Sequence, residues 1–128
     1  VLALNLEHIA QLHIRSEAWT VDPTEQPMNF GISNEAPFLC EAARRGAERY
    51  GFRINAACRA SVAGDLGGYA PLGVPRVQAI HSGPMYHASG DVAGTISTPG
   101  LERAARFYTY YVGAVAGAAR RDLGPLAN

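Results

Sequence analysis

The chain contains no lysine: all eleven of its positive charges are arginines, and eleven carboxylates balance them. With no net charge there is no broad basic face for a polyanion, so nucleic acid is not an expected partner. The arginine-only set reads as a base-composition bias of the gene and carries no functional weight. Long apolar runs are also missing; none approaches the ~20 residues that cross a bilayer, so no membrane segment is expected. Cysteine is scarce, with Cys40 and Cys58 alone. They permit at most one disulfide, and Cys40 falls on an apolar helix face where a free thiol packs well, so two free, packed cysteines are the expectation. The opening VLALNLEHIA has neither an initiator methionine nor a charged leader. It reads as a strand already inside a fold, which leaves localisation unreadable.

What is present suits one domain. A chain of 128 residues, 48% of them hydrophobic, can bury roughly two-thirds of its unfolded surface around a real core. Val1 to Leu6 is a continuous apolar run, as for a strand covered on both faces. Ser16 to Ile32, broken by Pro23, Pro27 and Gly31, shows no sustained period and reads as a long irregular excursion. Asn34 is placed to cap a helix with Glu35 in its first turn, carried by Phe38, Leu39, Ala42, Ala43, Ala47 and Tyr50 and stopped by Gly51. Ile54, Ala56, Cys58 and Ala60 alternate as a half-exposed strand, and Gly64 to Gly73 is a glycine-rich turn region. Val74 to Ile80 is a further strand, entered at Pro75 where a missing N–H is tolerated. Thr98 caps and Pro99 begins a last helix whose apolar stripe is Leu101, Ala104, Ala105, Tyr108, Val112, Val115 and Ala119. Arg120 and Arg121 lie at its end, before Gly124-Pro125.

Strands alternating with helices through long connections predict an α/β sheet with parallel pairing. Ligands of such sheets bind beyond the carboxyl ends of the strands. The segments after Leu6 and Ile80 are such ends, and they hold Glu7, His8, His81, Tyr86 and His87. A carboxylate and imidazoles arriving from distant parts of a chain are the raw material of a metal or acid–base site. Each also has a plain structural reading. Glu7 suits a solvated end, His87 a hydrogen-bonded turn, Asp91 an Asx turn, Tyr86 a rim, and His81 a satisfied core position. His8 and His13 read as polar-loop neighbours rather than ligands.

The segments LNLEHIA and GVPRVQAIHSGPMYHASGDVAGTISTPGLERAARFYTYYV resemble the second half of the dinuclear-zinc exopeptidases of the leucyl aminopeptidase and glutamate carboxypeptidase superfamily. In that family an N-L-D-M-I-G motif ends a strand with a zinc-binding acid, and Glu7 occupies its position. A G-I-P-A strand then leads to a Y-H-T-x-x-D-T loop, onto which Gly73-Val74-Pro75, Tyr86-His87 and Asp91 fall in order. The family's S-D-H-x-P-F is reduced here to Asp65. The resemblance implies a partial three-layer sheet, mostly parallel, with helices on its faces, residues 1–128 being the C-terminal portion of a larger peptidase domain. It implies Glu7 and His87 as zinc ligands, Tyr86 as a donor to the oxyanion, and Asp91 and Asp65 as supports. It also implies a peptide substrate. The family's other ligands, its bridging aspartate and its Glu-Glu pair have no counterpart here, so zinc is expected only in the complete protein and the isolated chain is expected to be inactive. Two other readings stand beside it: a non-catalytic relative that forms a homo-oligomer over an open sheet edge, and an unrelated α/β domain binding a small ligand with Tyr86, His87 and Trp19.

Overall fold

The computed structural model describes residues 1–15, 20–59, 62, 64–81, 83 and 85–125. Its main sheet is built from β1 (Ala3–Leu6), β4 (Met28–Ile32), β5 (Ile54–Arg59) and β6 (Arg76–Ile80), in the order β1-β6-β4-β5. β1 runs parallel to β6 and β5 parallel to β4, while β4 and β6 are antiparallel. The chain is therefore mixed α/β with a mostly parallel sheet, as expected. A separate antiparallel ribbon pairs β2 (Leu12–Arg15) with β3 (Thr20–Glu25).

The stretch read as an irregular excursion is thus largely strand. Pro23 lies in a two-stranded ribbon, where half of the backbone donors face away from the partner and a missing one costs little. Pro27 precedes β4, in which Met28, Phe30, Gly31 and Ile32 are buried and Asn29 is exposed. β4 is not peripheral but lies between β6 and β5.

Two α-helices complete the fold. α1 (Pro37–Tyr50) starts two residues later than Asn34 would cap it. Pro37 takes the first helical position, where its absent N–H is no loss. Asn34 instead donates to the carbonyls of Leu123 and Pro125. Gly51 ends α1 in the left-handed region at φ 66°, where glycine carries no Cβ strain. α2 (Thr98–Ala116) is capped by Ser97, whose hydroxyl accepts from the Gly100 amide at 3.0 Å. The helix ends near Gly117, and Arg120–Leu123 form a separate 3-10 turn rather than its last turn.

The buried side of α2 matches the stripe read in the sequence only at Ala104 and Tyr108. Gly100, Ala104, Phe107, Tyr108 and Tyr111 are buried, whereas Leu101 and Val112 are 41% and 50% exposed. Phe107 stacks on Phe52 at 4.5 Å, and Phe30 of β4 meets Phe107 and Tyr111 edge-on. An aromatic ring hides more apolar area than a branched aliphatic, so the helix turns its rings inward. α1 crosses α2 closely at Gly46, where a Cβ would stand 2.8 Å from Tyr110 Cδ1. Both helices share one core with β4 and β6, built on Phe30, Ile32, Leu39, Ala43, Val77 and Phe107.

Cys40 and Cys58 are not free: they form a disulfide, with Cα atoms 5.4 Å apart. The β4–α1–β5 connection lays α1 against β5, which brings the two cysteines together, something their separation in sequence does not reveal. Across a span of 18 residues, reduction is expected to lower stability by about 2–3 kcal/mol, read as a drop in the urea midpoint with added dithiothreitol. No change in midpoint would show that the bridge does not constrain the unfolded chain.

Candidate functional site

Glu7 follows β1 directly and extends its pairing, its amide donating to the Ala79 carbonyl at 3.4 Å. The carboxylate is held on one side only. Oε2 accepts from Asn5 Nδ2 at 3.0 Å and from Gln78 Nε2 at 3.1 Å. Gly64 packs so near that a Cβ there would stand 2.9 Å from Oε2, and its φ of 70° is one that a side chain would strain. Oε1 faces His8 Nε2 at 3.9 Å, beyond hydrogen-bond length.

His8 sits at φ 52°, a left-handed conformation unusual for a residue with a side chain. Its Nδ1 lies 3.0 Å from the His81 carbonyl. A carbonyl only accepts, so Nδ1 is the donor of this bond. The ring also meets Tyr86 edge-on at 4.8 Å, and Tyr86 stacks on His87 at 3.9 Å. Glu7, His8, Tyr86 and His87 thus form a continuous row beyond the ends of β1 and β6. His8, set aside in the sequence reading, is its middle member.

The loop carrying Tyr86 and His87 is wound into short turns, with Tyr86, Ala88 and Asp91 each donating an amide to the carbonyl three residues back. His87 lies at φ 55° and is exposed. Two buried glutamines anchor this loop. Gln11 reaches Asp91 Oδ1 at 3.5 Å and pairs with Ile96, while Gly83 packs against the amides of Gln11 and Gln26. Asp91 therefore ties the loop to Gln11. Asp65 is exposed on the 3-10 segment Gly64–Leu72, and among the described residues it makes no hydrogen bond to Glu7 or His87. Its neighbour Gly64 is the contact with Glu7.

Burial pushes the His81 imidazole below its ordinary range, and the nearby imidazoles of His13 and His8 push it the same way. Through its backbone carbonyl, His81 holds the His8 ring. Gln78 was legible as an anomaly, a polar residue inside the apolar RVQAI strand. Gln11, Gln26 and the pair of Glu25 with Arg103 gave no such local signal. Trp19 lies outside the described residues. No family model, curated protein or solved structure matches the chain.

Proposed function

We propose that this chain is the C-terminal part of a zinc-dependent exopeptidase, whose complete polypeptide removes a terminal residue from a peptide. The supporting observation is the row Glu7–His8–Tyr86–His87, which joins an acid at the tip of β1 to a Tyr-His pair from the far half of the chain. On this reading Glu7 and His87 are ligands, Tyr86 donates toward a developing oxyanion, and Asp91 and Asp65 support the loops beside them. The three-layer sheet with helices on its faces is the architecture it implies.

The residues present do not amount to a zinc site. Among the described residues no three His, Cys, Asp or Glu side chains gather as a metal would need, and catalytic zinc takes three protein ligands. The centre would have to be completed by other segments, and no chemical step follows from this chain alone. The second reading, a non-catalytic relative that self-associates, is favoured by the place of β1 at the edge of the sheet among the described residues.

Titrating the isolated chain with zinc is expected to show no tight uptake; two ions held tightly per chain would overturn the incomplete ligand set. In the complete polypeptide, Glu7→Gln and His87→Ala are each expected to lower kcat/KM by about 100-fold or more and to reduce bound zinc. Circular dichroism should stay unchanged, since both residues lie outside the core. Full activity in both variants would sink the reading.

A further inference from the structure

Ile54 to Arg59 of β5 lie against only Met28 to Gly31 of β4, so the pairing is broken between Met28 and Asn29 and again between Asn29 and Gly31. Cys58 stands in the second break, at φ 74°. A bulge normally enters that left-handed region through glycine, because a Cβ strains it. The alternation of Ile54, Ala56 and Cys58 gives an even strand instead.

The bridge to Cys40 supplies the reason for the break. Residues directly opposite in neighbouring strands point to the same face of a sheet, and a shift of one residue turns every side chain over. With Ala56 beside Asn29, an even register would set Cys58 beside Gly31 and aim it away from the face of Phe30 and Ile32. That face holds Leu39 and Ala43 of α1, the helix that carries Cys40. Cys58 meets Cys40 because the bulge turns it back toward the helix.

The same stretch leads to the candidate site. Gly31 pairs with Arg59 on one side and with Gln78 on the other, and Gln78 pairs in turn with Asn5. Asn5 and Gln78 are the two donors to Glu7 Oε2. Five places after Arg59 the chain reaches Gly64, where a Cβ would stand 2.9 Å from Glu7 Oε2 and 3.2 Å from Gln78 Nε2. The end of β5 therefore sets where Gly64 lies.

We propose that the Cys40–Cys58 bridge is a redox-sensitive switch acting on the Glu7 carboxylate. A dithiol opens it by exchange: one thiolate attacks Sγ of Cys58, the more exposed cysteine, and the S–S bond breaks as Cys40 leaves as a thiolate and takes up a proton. The second thiol then attacks the mixed disulfide, freeing the Cys58 thiol and leaving the reductant as its own disulfide. Two electrons and two protons pass to the protein. Released, Cys58 returns to extended backbone beside Gly31, on the face of Gln78 and Glu7. Arg59 advances to the level of Ile32, about 3 Å along the strand, and Gly64 withdraws from Glu7. The switch acts on this carboxylate whatever it binds, so it does not rest on the zinc reading.

Nuclear magnetic resonance of the full chain, oxidised and then with excess dithiothreitol, tests this. Reduction is expected to replace the Gly31–Arg59 backbone contact by Gly31–Cys58, to bring the Cys58 φ from positive to extended values, and to remove the contact between the Gly64 methylene and the Glu7 side chain. Cys40→Ala, which cannot form the bridge, should show the same three changes without reductant; if that variant fails to fold, reduction of the wild type still decides. A reduced chain that keeps Gly31 beside Arg59 overturns the proposal. So does one that evens its register while Gly64 stays on Glu7, and so does one that unfolds, since the bridge would then hold the fold rather than a register. None of these outcomes bears on zinc binding by the complete polypeptide.

Discussion

Phe107→Ala is expected to destabilise the chain by about 3–5 kcal/mol, against less than about 1 kcal/mol for Leu101→Ala on the same helix. Phe107 is wholly buried and touches four other rings: Phe52 stacked at 4.5 Å, Tyr108 edge-on at 5.0 Å, Phe30 edge-on at 5.6 Å and Tyr111 stacked at 5.8 Å. Removing it forfeits the transfer of its own surface and leaves a cavity between two helices and the sheet. Leu101 faces water over much of its surface and leaves no such void. Urea unfolding of both variants checks this. Equal losses would mean that α2 presents its other stripe to the core.

Arg103→Met is expected to cost about 3–4 kcal/mol at neutral pH, because it strands a buried carboxylate. Arg103 grips Glu25 with both arms of its guanidinium, Nε to Oε1 at 2.9 Å and Nη2 to Oε2 at 2.6 Å, and Arg53 donates to the Glu25 carbonyl. The Glu25 side chain is only 4% exposed. Burial alone would raise its carboxyl, but the hydrogen bonds and the positive charges of Arg103 and Arg53 outweigh it, and the group is held below its ordinary 4.5. A depressed folded value makes the contribution fully present above the unfolded carboxyl value and lost as pH falls through the folded one. The stability gap between wild type and Arg103→Met should therefore be widest near pH 7 and shrink below about pH 4.5. A gap that stays constant down to pH 3 would show that the arginine acts by packing its stem rather than by charge.

Periodicity was a sound guide where one face of an element dominates. β1, β6, β5 and α1 each carry a single apolar pattern, and all four are found within a few residues of where the spacing puts them. α2 carries two overlapping patterns, Leu101–Ala105–Val112 and Ala104–Phe107–Tyr111, and side-chain size decides between them. β4 was hidden because Pro27 and Gly31 look like breaks, although Met28, Phe30 and Ile32 recur at every second position across Gly31. The disulfide and the Glu25–Arg103 pair depend on distances between segments far apart in sequence, which no local pattern encodes. At the candidate site, Glu7, Tyr86 and His87 could be named in advance because they follow strand ends. The links through His8, Gln11 and Gln78 needed coordinates.

β4 sits between β5 and β6, and its inward residues Phe30 and Ile32 share one core with Leu39 and Ala43 of α1, Val77 and Ala79 of β6 and Phe107 of α2. A ribosome releases α1 directly after β4 but β6 and α2 much later, so Phe30 and Ile32 emerge with only part of their cover. The nascent half therefore holds an apolar strand half-sheltered, and a holdase that protects it during that interval should raise the yield of soluble chain.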